Sequence, residues 1–412
     1  MYVASTRSGK ENAPVDGVRT SRVPTTVFLL GTVSLLTDIS SEMVTAFMPV
    51  YVLVSLQMTY VQLGLLDGLY TGATALLRLA GGYIADRVHR HKEVAVAGYG
   101  LSAVMKLAFV PVGASALALG GVQTLDRAGK GLRTGPRDAL ISLVTPSKDL
   151  GTAFGVHRTM DTIGAMFGPL VTFALLSWVT YRPGPIFMIS FCFAALGVIV
   201  LVFFVRQPRL ERVPGKVASL RATVGLLREK RMRRTTIAAG LLGLATISDA
   251  FVFVVLQKVS GLPSTALALM PVGTALMFLL AATPMGKLAD RVGRWRVFFG
   301  GHVLLLGVYL LLLGPFGGIP LAAASLALHG LFYAATDGVL MAHGATLVPA
   351  HMRAGGLSIV QTGQALARFA SSVGIGLLLQ NLAFGTTVLL AVGALTAALV
   401  GVYLLIRPEV SR

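Results

Sequence analysis

The stretch LLTDISSEMVTAFMP (35–49) sets Asp38, Ser41, Glu42 and Thr45 on one stripe of an otherwise apolar helix. Two carboxylates flanked by hydroxyls suit three kinds of chemistry. With no basic residue beside them on that segment, Asp38 or Glu42 can take up and release a proton, as coupling to a proton gradient requires. The same oxygens can ligate a metal or sodium ion. A permanent salt bridge to Arg127 or Lys130 is the purely structural alternative.

A second stretch, LDRAGKGLRTGPRDALI (125–141), holds Asp126, Arg127, Lys130, Arg133, Arg137 and Asp138 within apolar surroundings. At 100° per residue, Asp126, Lys130, Arg133 and Arg137 fall within about 60° of one another on a helix. A loop needs no such registration. A charge at the bilayer centre costs about 2.5–3.5 kcal/mol, so six facing lipid are untenable. The stretch is therefore expected to be a membrane helix lining a water-filled cavity. Asp126, Lys130 and Arg133 become candidate substrate contacts, and ion pairs of Arg127 and Lys130 with Asp126 and Asp161 are the structural alternative. Downstream, Asp161 lies within reach of His157 and Arg158 at i,i+4 and i,i+3 spacing. Arg158 joins the candidate cavity residues, and His157 is either a proton relay or a structural hydrogen-bonder. Farther along, Asp249, His329, Tyr333, Asp337, Gln361, Gln364 and Arg368 put polar groups on apolar segments, with core hydrogen bonding as the default for the glutamines. Asp67, Arg78 and Lys106 are single charges without evident partners.

The elements that position these groups follow from composition. Of 412 residues, 55% are hydrophobic and only 13% charged, whereas soluble domains carry about 25% charged residues. The net charge of +18 is spread over short loops, a pattern that suits an acidic membrane face and excludes a nucleic-acid-binding domain. A single cysteine, Cys192, leaves no disulfide framework or thiolate metal site. Residues 1–25 lack the apolar core of a cleavable signal and are expected to form a cytoplasmic tail.

Apolar runs of membrane-spanning length fall near 26–54, 60–84, 94–112, 116–141, 151–178 and 184–205, then near 235–257, 263–285, 297–314, 319–343, 354–380 and 384–406. The chain thus reads as an all-α membrane protein with twelve transmembrane helices: a half at 26–205, a linker at 206–234, a half at 235–406 and a tail at 407–412. Loops after even-numbered spans read DRVHRHK (86–92), TPSKD (145–149), RQPRLERVPGK (206–216), DRVGRWR (290–296) and HMR (351–353). Loops after odd-numbered spans hold almost no Lys or Arg, Arg182 and Lys258 excepted. The positive-inside rule puts both termini and the linker in the cytoplasm of a multi-pass inner-membrane protein. Within the linker, Val217, Leu220, Val224 and Leu227 recur at helical spacing, suiting a helix that lies on the membrane surface or a solvated linker helix.

The halves repeat. GYIADRVHR (82–90) matches GKLADRVGR (286–294) at an offset of 204, and LVTP (143–146) echoes LVP (347–349). Two pseudo-symmetric six-helix halves are a known transporter architecture, with substrate held near the midplane between repeats. The first of these motifs resembles the loop signature of the major facilitator superfamily, as does the twelve-span layout. Arg127-x-x-Lys130-Gly131 resembles that family's R-x-x-Q-G element, with Lys in place of Gln. GAMFGP, with Gly164, Gly168 and Pro169, resembles its element associated with drug:proton antiporters, although small-xxx-small spacing also serves helix packing.

The resemblance implies the major facilitator fold and secondary active transport by alternating access, with proton-coupled export of a small molecule as its leading form. It implies that Arg127 takes part in proton coupling or in orienting the site, alongside the candidate coupling acids Asp38, Glu42 and Asp161. It also implies a cytoplasmic gate built from Gly82, Asp86, Arg87, Arg90, Arg137 and Asp138, repeated at Gly286, Asp290 and Arg291. His89 stands where the signature usually has Gly. Alternatives are a cation or metal exporter using Asp38 and Glu42, and a transporter of an anionic metabolite using Lys130, Arg133 and Arg158. No P-loop points to ATP and no catalytic constellation to an enzyme. Expected partners are the bilayer, a small-molecule or ion substrate and protons, with no cofactor, no nucleic acid and a monomeric protein.

Overall fold

The computed structural model describes the backbone of residues 23–88, 90–146, 149–179, 182–206, 225–348 and 353–410, with side chains described except at 75–88, 151, 179, 342, 345, 353–355, 358 and 407–410. The N-terminal tail and almost all of the amphipathic linker stretch lie outside these residues. The first half comprises α1 (Thr25–Val50), α2 (Tyr60–Val88), α3 (His91–Ala108), α4 (Ala116–Val144), α5 (Leu150–Val179) and α6 (Pro183–Phe204). The second comprises α7 (Lys230–Leu244), α8 (Asp249–Ser260), α9 (Met270–Val292), α10 (Arg294–Leu313), α11 (Gly318–Thr346), α12 (Arg353–Asn381) and α13 (Phe384–Val410).

Helices satisfy their own backbone groups, which is why a chain this apolar adopts them throughout. Among the described residues eight spans are long and apolar enough to cross a membrane by length and composition, and large apolar side chains such as Phe203, Leu280, Leu310 and Leu404 face outward. The remaining spans, α2, α3, α4 and α12, are more polar and include the interior charges Asp67, Lys106, Asp126, Arg127 and Arg368. One span is broken. Residues 245–248 separate α7 from α8, although the two together occupy a single crossing, Lys230–Ser260. The sequence expectation for span seven was an uninterrupted helix.

The repeat is visible in the packing. In the first half α1 lies on α5 and α6, α2 on α4, and α3 on α4 and α6. In the second half α7 lies on α12 and α13, α9 on α11, and α10 on α11 and α13. Glycines allow the close approaches. Added Cβ atoms at Gly98 and Gly129 would meet the facing backbone at 2.8 and 2.5 Å, locking α3 to α4. Gly301 plays the same part between α10 and α11, facing Phe332, Ala335 and Thr336.

The halves meet along α2 and α12, and where α5 touches the turn at 264–269 that leads into α9. Both contacts belong to the end of the bundle opposite the basic loops. Along one face of α2, a Cβ on Gly64 would sit 2.5 Å from the Ser372 carbonyl and one on Gly68 2.5 Å from the Phe369 ring. At Gly72, one turn farther, it would meet nothing within 4 Å. Close packing between the halves therefore stops at that level, and they diverge toward the basic end.

Candidate functional site

Where the halves diverge lies a cavity of about 430 Å³, with Glu42, Asp126 and Arg127 on one side and Asp249, Tyr333 and Arg368 on the other. Its surface between them is apolar and aromatic, with Met48, Phe109, Phe253 and Phe278 prominent. This is the size and character of a small-molecule site.

The first-half wall is a network of opposite charges. Asp126 accepts from the Ser102 hydroxyl at 2.6 Å and pairs with Lys106 at 2.7 Å and with Arg127 at 2.8 Å. The Arg127 guanidinium also lies over the Tyr70 ring, 4.0 Å from its centroid, and its side chain is 2% exposed. Asp38 lies 3.6 Å from Arg133 and 4.0 Å from Lys130, and Lys130 is also 3.9 Å from Glu42. Asp161 of α5 is a close neighbour of Asp38 of α1. Arg137 reaches Asp161 at 3.7 Å, Asp138 at 2.9 Å and the Ser34 hydroxyl at 3.2 Å.

Most of the predicted polar helix faces are thus brought together. Asp38 and Glu42 have cations within 4.0 Å, unlike the unpaired carboxylates expected from span one alone. Arg127 takes Asp126 as its partner, whereas Asp161 pairs with Arg137 and Arg158. Lys130 and Arg133 stand behind the wall. Arg158, expected in the cavity, is 75% exposed at the far side of its pair with Asp161. His157 holds the Ser34 hydroxyl at 2.9 Å. Gly164 packs on the Leu35 backbone, and a Cβ on Gly168 would lie 2.7 Å from the Ile39 carbonyl and 2.9 Å from the Glu42 Cβ. The span-five element is therefore the seam that seats the acidic stripe of α1.

The second-half wall is built around the broken span. Ser248 precedes α8, its carbonyl accepts from the Phe251 and Val252 amides, and Asp249 occupies the first turn. Tyr309 accepts from the Ile247 amide at 2.7 Å and Ser371 donates to the Thr246 carbonyl at 2.7 Å, which satisfies the unwound backbone. Residues 246–250 all border the cavity, as interrupted helices do at transporter sites. Tyr333 donates to Asp249 at 2.6 Å, and His329, buried behind it, approaches the same oxygen at 3.6 Å. Asp337 and Arg368 complete this wall. Gln361 and Gln364 do not border it, and Gln364 packs against Gly243 of α7.

Sequence reasoning left Asp67 and Lys106 without partners. The structure gives Lys106 to Asp126 and sets Asp67 on the cavity edge, where Ser372 donates to it at 2.8 Å across the two halves. Ser248 was missed altogether. A Ser followed by an Asp is a helix-start signal, and Ser248-Asp249 inside span seven was legible as one.

Of the expected gate, the side chains of Gly82, Asp86 and Arg87 lie outside those described. Arg90 is exposed just before α3, and Asp138 pairs with its neighbour Arg137. Asp290 and Arg291 are exposed, with Asp290 held to Arg294 at 3.4 Å. A Cβ on Gly286 would meet nothing within 4 Å.

Comparison with known proteins agrees with this architecture. The family model of the Major Facilitator Superfamily matches residues 30–281 and 261–412. An uncharacterized MFS-type transporter of Methanocaldococcus jannaschii is 30% identical over 359 residues, covering 85% of this chain and 88% of its own. The multidrug resistance protein MdtG of Dickeya zeae is 28% identical over 291 residues, covering 66% of this chain and 65% of its own. In fold, the chain resembles the nucleoside transporter NupG with a TM-score of 0.79 at 16% identity, covering 92% of this chain and 99% of the other. It also resembles a POT family transporter in complex with a thioalcohol-conjugated peptide, with a TM-score of 0.78 at 14% identity over 94% and 97% of the two chains.

Proposed function

The chain belongs to the Major Facilitator Superfamily of membrane transporters, and from that premise we propose that it exports small organic cations across the inner membrane in exchange for protons. The basic loops face the cytoplasm by the positive-inside rule, with both termini on that side. The packing described above then corresponds to a transporter sealed outside and open toward the cell interior.

One observation carries the proposal: the two cavity walls differ in charge balance. Around the first wall, five acids (Asp38, Glu42, Asp126, Asp138, Asp161) interact with six bases (Lys106, Arg127, Lys130, Arg133, Arg137, Arg158). On the second-half wall Asp249 and Asp337 face the cavity with Arg368 as the one cation among the described lining residues of that wall, and Asp67 of α2 joins them from the seam between the walls. Two acids against one base on that wall, with Asp67 beside them, leave an excess of negative charge facing the cavity. Uncompensated charge in a membrane interior is costly, and either protons or a cationic substrate relieve it. Ligands that compete for the same carboxylates exchange for one another, which is the thermodynamic basis of antiport. The aromatic walls supply apolar contact and cation–π attraction for such a substrate.

In this scheme the Asp38–Asp161 pair is the coupling element of the first half. A proton on that pair weakens the hold on Lys130 and Arg133, and so changes how α1, α4 and α5 pack. The metal-ion reading is less well supported, because Asp38 and Glu42 are drawn to Lys130 and the Thr45 hydroxyl bonds back to the Ser41 carbonyl at 3.0 Å. The anion reading is weakened because each base of the cluster already has an acid within 4.0 Å. The similarity to MdtG adds independent support for efflux.

The test is growth of a bacterium lacking its own exporters, carrying wild type, Asp38→Asn or Asp249→Asn, against cationic, neutral and anionic toxic compounds and metal salts. Protection against the cationic class by wild type alone is the expected result. Protection confined to metals or to anions contradicts the proposal.

A further inference from the structure

The hydrogen bond from Ser372 to Asp67 crosses the boundary between the halves, and the coupling scheme above makes no use of it. Asp67 stands where the interface changes character. Toward the sealed end, Gly64 and Gly68 press against the Ser372 carbonyl and the Phe369 ring. Toward the basic end, Gly72 is free and the cavity begins. The Asp67 carboxyl is thus the last group of the seal and the first of the cavity.

Its surroundings provide hydroxyls rather than cations. Ser372 donates to Asp67 at 2.8 Å, and the Ser248 hydroxyl lies 3.5 Å from that of Ser372. The charged groups facing Asp67 are Asp249 from α8, which repels it, and Arg368 from α12, which attracts it from beyond ion-pair range. From α2 itself Tyr70 shares the cavity, and from α4 Arg127 does so while held by Asp126. Among the described residues no cation approaches the Asp67 carboxyl within the 4.0 Å of an ion pair. An ionised carboxyl in that position can be relieved in two ways: a proton neutralises it, or α2 parts from α12 and water reaches it.

We propose that Asp67 is a second proton-binding site, and that its protonation state operates the seal between α2 and α12. With the proton bound, the neutral carboxyl stays against Ser372 and the outer end stays shut. With the proton lost into the cavity, the carboxylate favours the arrangement in which the halves separate at that end. A proton taken up from outside then recloses the seal, the order of events that export by antiport needs. A group that binds a proton more tightly in one of two states must shift their populations as pH changes. The inference rests on the alternating-access reading but on neither the substrate's identity nor the charge of the second wall.

The test is a distance measured across the outer end. Cys192 is the only cysteine, so a Cys192→Ser background accepts spin labels at Thr59→Cys, just before α2, and Asn381→Cys, at the end of α12, both exposed. In lipid nanodiscs the distribution with Asp67 intact is expected to shift toward longer distances as pH is raised. Asp67→Asn is expected to keep the short distance at every pH, and Asp67→Glu to restore the shift. An Asp67→Asn protein that still lengthens with pH overturns the proposal, as does an intact protein whose distance ignores pH. If the distance then responds to a permanently charged cation such as tetraphenylphosphonium, alternating access stands and only the Asp67 assignment fails. If it responds to neither, both readings fail.

Discussion

Asp126 shows how a carboxylate can lie inside a membrane bundle without being a coupling group. Lys106, Arg127 and Ser102 together occupy both of its oxygens, and the side chain is 1% exposed. Removing one partner strands a buried charge, a change that typically costs about 3–5 kcal/mol. Asp126→Asn strands Lys106 and Arg127 together and is therefore expected to lower the thermal unfolding temperature sharply in detergent, and the double change Asp126→Asn with Lys106→Met to recover part of the loss. On the opposite wall, Tyr333 donates to a half-exposed Asp249. Tyr333→Phe removes a hydrogen bond worth roughly 0.5–1.5 kcal/mol, or about a two- to tenfold weaker apparent affinity for a cationic substrate, with the maximal rate little changed. Asp249→Asn is expected to abolish transport of that class while leaving the fold intact. At this scale the sequence was readable where polar groups line up on one helix face, as in the charged stripes of α1 and α4. It was unreadable where partners lie on different helices. Asp67 meets Ser372 across 305 residues and Lys106 meets Asp126 across 20, separations that no periodicity encodes.

At the scale of elements, the glycine patterns carried real information with more than one reading. Gly164 and Gly168 were open to interpretation as a signature of export or as plain packing, and they do pack, seating the Ile39–Met43 stretch of α1 against α5. Gly168→Val would force the helices apart directly beside Glu42. Loss of folded protein on size-exclusion chromatography is expected, whereas Gly155→Val on the same helix, where a Cβ would meet nothing within 4 Å, is expected to be tolerated. The repeated loop signature is similarly instructive. Gly293 ends α9 at φ +103°, a backbone conformation that side chains rarely adopt. His89 occupies the equivalent place in the first repeat, and the departure noted in the sequence therefore falls at a position where the second repeat uses glycine's freedom. The break in span seven escaped the hydropathy pattern because apolar residues continue through it. What marks it is local chemistry, Ser248 and Asp249 starting a new helix in mid-span, together with backbone bonds to Tyr309 and Ser371 that only tertiary structure reveals.

At the scale of the molecule, the two halves share a packing plan but not a charge plan. The twelve-span count, the six-plus-six repeat and the membrane class were legible from hydropathy and from an offset of 204 between loop motifs, since these properties are properties of the chain alone. The cavity was not, because its walls take single side chains from many helices and its charge depends on which of them find partners. The first half pairs its acids with bases except Asp67 at the seam; the second sets Asp249 and Asp337 on the cavity against Arg368 alone. Transport in a purified system puts that asymmetry to the test. Proteoliposomes loaded at acidic pH and diluted into alkaline buffer should accumulate tetraphenylphosphonium through the wild-type protein, lose that accumulation when the proton gradient is collapsed, and lose it in Asp249→Asn. Accumulation that persists without the gradient, or that Asp249→Asn supports as well as wild type, would contradict the account.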